Sequence, residues 1–248
     1  MLILHAESME TIRGIVLRTV KYGDDRLILD LFTESRGRMS FITKKAGNRR
    51  VPLSKAFWQP LSMVEFQAEV RLVVSLPRPR DVRFYYNYVH LPFSPVKSAI
   101  ALFLAEFLSA ALKEEKQHTS LYKYIEHSLQ WFDEARFPMA IANFHLVFLM
   151  HLTRFLGIFP NLEEPARFFN LLSGTFQPLL PSHAYYIKDV EAQSRPRLFR
   201  MNYATAHLFK FSAVQRRRII EVLNTYYRLH LPDFPELKSV EVLHEVFS

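Results

Sequence analysis

Glycine spacing divides this chain before any other feature does. Four of its six glycines, Gly14, Gly23, Gly37 and Gly47, fall within the first 47 residues, and the next is Gly157. A long glycine-free stretch rich in Leu, Phe and Ala favours helix, whereas glycines spaced closely between short apolar runs favour turns between strands. The chain is therefore predicted to be α+β, with a boundary near residue 80 between a small β domain (1–80) and a helical domain (81–248). In the first part, RLILDLF (26–32) places Leu27, Leu29 and Leu31 on one face, and VRLVVSL (70–76) does the same with Val70, Leu72, Val74 and Leu76. TIRGIVLRTV (11–20), RMSFIT (38–43) and LSMVEF (61–66) supply three more strands. Five short antiparallel strands in so small a unit close into an OB-like or SH3-like barrel, because closure removes exposed edges. PRPRDVR (77–83), with prolines that cannot donate to a sheet, reads as the linker.

Beyond it the helix signals are explicit. Ser94-Pro95 is an N-cap followed by proline at the first helical position, opening a helix over 95–113. A second is expected over about 120–134. A third starts near Pro138 and ends at Gly157, with Pro160 preventing continuation; it is apolar nearly all round and so predicted to be central and buried. Ser212 and Gln215 form a capping box that opens a helix to about His230, and a short helix follows Ser239. FFNLLSGTFQPL (168–179) reads as a small hairpin turning at Ser173-Gly174, inserted near 168–188.

The absence of cysteine removes disulfides, thiolate catalysis and every Cys-based zinc site, and fits a reducing compartment. No secretory signal is read in MLILHAESME, and the longest apolar stretch (99–112) is interrupted by Glu106 and too short to cross a bilayer. A soluble, cytoplasmic protein is expected. No two glycines are close enough for a Walker loop or dinucleotide fingerprint, and no Gly-x-Ser-x-Gly elbow occurs. His145 and His151 lie six apart on one helix and diverge around it, so they do not chelate as an i, i+4 pair would. Asp24-Asp25, Glu114-Glu115 and Glu163-Glu164 are adjacent acids that point apart. No catalytic residue, metal ligand or cofactor is assigned, and the expectation is a binding protein without enzyme activity.

Charge carries the positive signal. The formal net charge is +8, which suggests an anionic partner. Residues 36–55 hold Arg36, Arg38, Lys44, Lys45, Arg49, Arg50 and Lys55 without an acid. Confining like charges between two strands costs self-repulsion that an anionic backbone would relieve. Phe57 and Trp58 lie beside this loop. They read either as a stacking surface for single strands, which makes Trp58 a DNA-binding candidate with the seven cations, or as a plug for the end of the barrel. The cations themselves read as a nucleic-acid site or a solvated loop. A second acid-free stretch, Ala192 to Ile220, contains Arg195, Arg197, Arg200, Lys210, Arg216, Arg217 and Arg218. Three readings stand for it: a continued nucleic-acid track, a dock for an acidic peptide, or a solvated face.

GIVLRTVKYGDDRLILDLFTESRGRMSFITKKA (14–46) followed by AFWQPLSMVEF (56–66) resembles the N-terminal domain of the RecO family of DNA repair proteins. GIFPNL (157–162), FFNLLSGTF (168–176) and RLHLPDFPELKSVEVL (228–243) resemble its later landmarks in order. The resemblance implies an OB-fold followed by a helical domain, and a nucleoid-associated bacterial mediator of DNA recombination in the RecF pathway. It also implies binding of single- and double-stranded DNA, annealing of complementary strands, partnership with RecR, contact with the tail of single-strand-binding protein, and indirect help in loading RecA. Arg154, Arg216, Arg217 and Arg218, with Phe155 and Phe209 as walls, are the candidates for that acidic, apolar-ended tail. Many members carry a four-cysteine zinc module after the Pro-Asn-Leu motif. This chain has no cysteine there, so zinc does not carry over. An RNA- or ribosome-associated OB adaptor is the alternative that the charge pattern leaves open.

Overall fold

A computed structural model describes residues 9–45, 53–70, 76–113, 116–163, 166–188 and 201–246. The chain divides into two compact units, Met1–Val89 with Ala101–His127, and His90–Ile100 with Ser128–Ser248.

The first unit contains β1 (Met9–Tyr22), β2 (Arg26–Thr33), β3 (Gly37–Lys44), a one-turn helix α1 (Leu53–Ala56), β4 (Met63–Glu69) and β5 (Arg80–Tyr86). The strands are antiparallel in the order β3-β2-β1-β4-β5. β1 is long enough to serve both halves, pairing through Gly14–Tyr22 with β2 and through Met9–Ile15 with β4. A bulge between Val16 and Arg18 bends it between the two tasks. Gly14 belongs to both ladders, and a Cβ there would lie 2.9 Å from Leu31 Cδ2, so a larger residue would make the buried Leu31 side chain shift. The segment leading into β5 meets β3 at a seam, where the Ile42 N–H donates to the Pro77 carbonyl at 3.0 Å. This is the OB-like barrel, and Ile12, Val16, Leu29, Leu31, Phe41 and Phe66 fill its inside.

Four strands lie where alternation predicts them. The fifth corrects the linker reading: residues 71–75 of VRLVVSL lie outside the described residues, and β5 forms from Arg80 onward. Its alternation is real, since Val82 and Phe84 pack inward, but Arg80, Asp81 and Arg83 around them disguise it. Pro77 and Pro79 precede the strand, where no ladder donor is forfeited. Asp81 takes a left-handed conformation (φ 50°), where the pairing with β4 slips between Glu65 and Gln67. Such a position favours the short polar side chain over a branched one.

Helices α2 (Pro95–Ala111), α3 (Thr119–Glu134), α4 (Pro138–Phe155), α5 (Ala213–His230) and α6 (Ser239–Val246) follow the predicted boundaries closely. The Ser94 hydroxyl accepts from Lys97 N–H at 3.4 Å, Gly157 takes φ 69° after α4, and both bonds of the Ser212–Gln215 capping box form. Residues 142–150 of α4 are all buried. The predicted hairpin is β6 (Phe168–Asn170) with β7 (Thr175–Gln177), and β8 (Tyr186–Lys188) adds a third strand in the order β7-β6-β8. Phe169, Leu171 and Ile187 pack with Tyr226 of α5, and Phe176 lies against them. Among the described residues no helix is long and apolar enough to cross a membrane.

Candidate nucleic-acid interface

The cations of the first acid-free stretch separate into two groups. Arg36 forms an exposed two-bond pair with Glu10, Nε at 3.0 Å and Nη2 at 2.6 Å. Arg38 is drawn down onto Asp30 at 3.2 Å and donates to the Ser109 carbonyl, leaving its side chain 15% exposed. That corrects the assignment of Arg38 to a nucleic-acid surface: its guanidinium is committed to a buried carboxylate. Lys44, Lys45 and Lys55 are exposed. Arg49 and Arg50 lie outside the described residues.

Trp58 is a second correction. It is 8% exposed, packs in the barrel core against Phe66 at 6.4 Å between ring centroids, and its carbonyl accepts from Thr19 Oγ1. Phe57 packs on Phe84 at 4.6 Å. Both aromatics serve the barrel, because its open end needs large apolar side chains that a solvent-facing ring could not supply.

The structure brings together cations that are scattered in sequence. Arg26 at the start of β2, Lys44 at the end of β3, and Arg78 and Arg80 at the entry to β5 line one cleft of about 500 Å³, floored in part by Ile42 and Pro79. It opens beside the seam that Ile42 and Pro77 close. All four cations are exposed and the lining contains no acid, with Asp25 in the adjoining turn 3.7 Å from Arg26 Nε as an exposed counter-charge. Sequence reasoning missed Arg26, Arg78 and Arg80 because they lie outside the acid-free stretch, Arg26 and Arg80 standing next to Asp25 and Asp81 in sequence. The signal that could have found them is register: Arg26 sits directly opposite Lys44.

The rest of the barrel surface treats charge differently. Asp30, 4% exposed, accepts from Arg18 at 2.8 Å and Ser40 at 2.6 Å as well as from Arg38. Burial works against its ionisation, but those hydrogen bonds and the two guanidinium charges outweigh it and hold the carboxyl below its ordinary value. Glu65 is held low by hydrogen bonds from Arg13 and then Arg83, against the burial that opposes them. Arg13 Nε donates to it at 2.7 Å and Arg83 Nε at 2.9 Å. Each carboxylate thus sits between arginines from neighbouring strands, a ladder device that ties the sheet together.

In the second unit, Arg216 is also corrected as a partner-binding residue. It is 8% exposed and donates to the Phe211 carbonyl beneath the start of α5. Arg217 and Arg218 are exposed and reach Glu221 at 3.2 and 3.7 Å. Arg154, in the last turn of α4, lies over the Phe159 ring at 4.5 Å. Phe155 and Phe209 are half-buried, and Arg195, Arg197 and Arg200 lie outside the described residues. His145 is buried and His151 half-buried on α4. Among the described residues no three potential metal ligands gather. The three-stranded sheet offers His183, whose Nδ1 accepts from the Tyr185 N–H at 3.1 Å, and no cysteine. Its donors do not fit a four-cysteine zinc module.

Residues 8–86 match the family model described as "Recombination protein O N terminal", and residues 92–240 match "Recombination protein O C terminal". Curated relatives named DNA repair protein RecO include that of Phocaeicola vulgatus, 45% identical over 95% of this chain and 98% of its own length. Those of Bacteroides fragilis and Flavobacterium psychrophilum are 44% and 30% identical over the same shares. With both family models matched in order and relatives aligned over nearly their whole length, the chain belongs to the RecO family of DNA repair and recombination proteins.

Proposed function

We propose that the cleft of Arg26, Lys44, Arg78 and Arg80 binds the phosphate backbone of DNA, and that the protein acts by holding strands rather than by making or breaking bonds. The observation that carries this reading is the convergence of four exposed cations from three strands on one cleft without an acid. Their mutual repulsion is relieved when a polyanion enters and sheds its condensed counterions. Lys45 and Lys55, exposed on the same barrel unit, extend the positive surface. Backbone contacts position a strand without specifying sequence, so bound single strands keep their pairing edges available and two complementary strands can anneal once their repulsion is lowered. Duplex DNA presents the same phosphates and binds by the same charges.

Family membership supports work beside RecR and single-strand-binding protein, with RecA loaded as the outcome. For the tail of single-strand-binding protein, the stacked pair of Arg154 and Phe159 offers a cation beside an apolar ring, the combination that an acidic, apolar-ended peptide needs.

The test is fluorescence anisotropy of labelled single-stranded DNA across a salt series, with wild type and an Arg26→Ala, Lys44→Ala, Arg78→Ala, Arg80→Ala variant. The slope of log affinity against log salt is expected to fall by about 0.7 for each phosphate no longer neutralised. An unchanged slope would assign the cleft to solvent. Competition by RNA of the same sequence that exceeds competition by DNA would favour an RNA-binding adaptor instead.

A further inference from the structure

The outer face of β1, β2 and β3 carries more than charge. Directly opposed residues on antiparallel strands point to the same side of a sheet, so the registers define rows across it. Tyr22 lies opposite Arg26, and Arg26 opposite Lys44, which makes Tyr22–Arg26–Lys44 one row. Two residues inward, Val20 lies opposite Ile28, and Ile28 opposite Ile42, which makes a second, apolar row on the same face. Tyr22 is 55% exposed and Val20 40% exposed, and Ile28 and Ile42 are half-buried. The next row is Arg18–Asp30–Ser40, closed by its own hydrogen bonds.

Among the described residues nothing in the packing of the barrel calls for the exposed phenol ring. Trp58 and Phe57 already fill the barrel, and the β1–β2 turn is held without Tyr22's side chain, through Gly23 at φ 63° and the Lys45 N–H to Asp25 carbonyl bond at 2.6 Å. What the ring shares is its row: two cations beside it line the phosphate cleft. An aromatic face next to backbone-binding cations is the arrangement on which an unpaired base stacks while its phosphate is held. Bases in a duplex are already stacked on both faces and have no face to offer, whereas phosphates are presented by single and double strands alike.

Resting on the reading of the cleft as a phosphate site, we infer that Tyr22, with the Val20–Ile28–Ile42 shelf beside it, is the base-stacking platform that makes this barrel prefer single-stranded over double-stranded nucleic acid. The cations give affinity to both forms. The ring adds affinity only where a base is unpaired.

Three ligands separate the two contributions: a single-stranded oligonucleotide of about 16 nucleotides, an abasic strand of the same length, and the corresponding duplex. Tyr22→Ala is expected to bind the single strand about tenfold more weakly and to bind the abasic strand and the duplex as wild type does. Tyr22→Phe keeps the ring and is expected to retain wild-type binding to all three. Equal binding of the single strand by Tyr22→Ala and wild type overturns the inference, and so does an equal loss on all three ligands. The cleft reading fails by a different result, wild type binding neither the abasic strand nor the duplex.

Discussion

Two regions of the chain concentrate arginine and lysine in acid-free sequence, residues 36–55 in the barrel unit and 192–220 in the helical unit, and the structure handles them by different geometry. In the helix, an acid one position beyond the stretch answers part of the charge: Glu221 stands one turn from Arg217 and Arg218 and reaches both. In the barrel, partners come from other strands, Glu10 on β1 for Arg36 and Asp30 on the neighbouring β2 for Arg38. Strand ends then leave Lys44 beside Arg26, Arg78 and Arg80, which the sheet has carried to the same place. An acid-free stretch is therefore a poor guide to available charge. A helix offsets part of it within one turn, and a sheet can both neutralise its arginines and gather new cations by register.

The largest effect should separate the two regions directly. The four-cation cleft variant is expected to lose single-strand affinity by on the order of a hundredfold at moderate salt, while Arg217→Ala with Arg218→Ala stays within about twofold, since these two arginines share Glu221 and lie on the helical unit, away from the cleft residues in the chain. Anisotropy titrations of both variants at one salt concentration decide it, and comparable losses would erase the distinction.

Replacing the barrel's buried carboxylates tests the neutralised half of its charge. Asp30→Asn or Glu65→Gln should cost about 2 kcal/mol near neutral pH, because each removes a carboxylate that several charged donors share. Both carboxyls titrate below their ordinary values when folded. The unfolded chain therefore takes up protons first as the pH falls, and the stability these groups contribute is full above the ordinary carboxylate range and lost as pH drops through it. Urea midpoints from about pH 7 down to about pH 3 should fall steeply for wild type and less steeply for each variant. Parallel curves would show that the ion pairs do not report on folding.

In the helical unit the corresponding weak point is apolar and steric. Gly174 takes φ 66°, and a Cβ there would lie 2.6 Å from the Tyr226 hydroxyl, which donates to the Ile158 carbonyl. Gly174→Ala is expected to cost about 1–2 kcal/mol without altering single-strand affinity, measured by thermal melting and anisotropy on the same sample. Loss of binding in parallel would join the small sheet to the nucleic-acid site. The smallest effect is the one expected of chelators: with Phe169, Leu171, Ile187 and Tyr226 as its core, the three-stranded sheet should melt at the same temperature with and without EDTA. One tightly held equivalent of zinc in elemental analysis would contradict that.

Local patterns were legible in the amino-acid order alone. The helix starts at Ser94 and Ser212, the stop at Gly157, the Ser173-Gly174 turn and four barrel strands each depend on residues within one turn or one alternation of each other. The family, too, was visible in contiguous motifs. What needed the tertiary structure is everything that depends on which strands lie side by side. β5 was hidden because its inward Val82 and Phe84 flank Arg83, whose partner Glu65 stands on the neighbouring β4. Trp58 became core because the barrel closes over it, and Arg216 became buried because Phe211 turns its carbonyl towards it. The cleft itself joins positions 26, 44, 78 and 80, and the Tyr22–Arg26–Lys44 row exists only through register. Hydrogen-bonded pairing between separate segments sets that register, and no short window of sequence contains Arg26 with Lys44, Arg78 and Arg80.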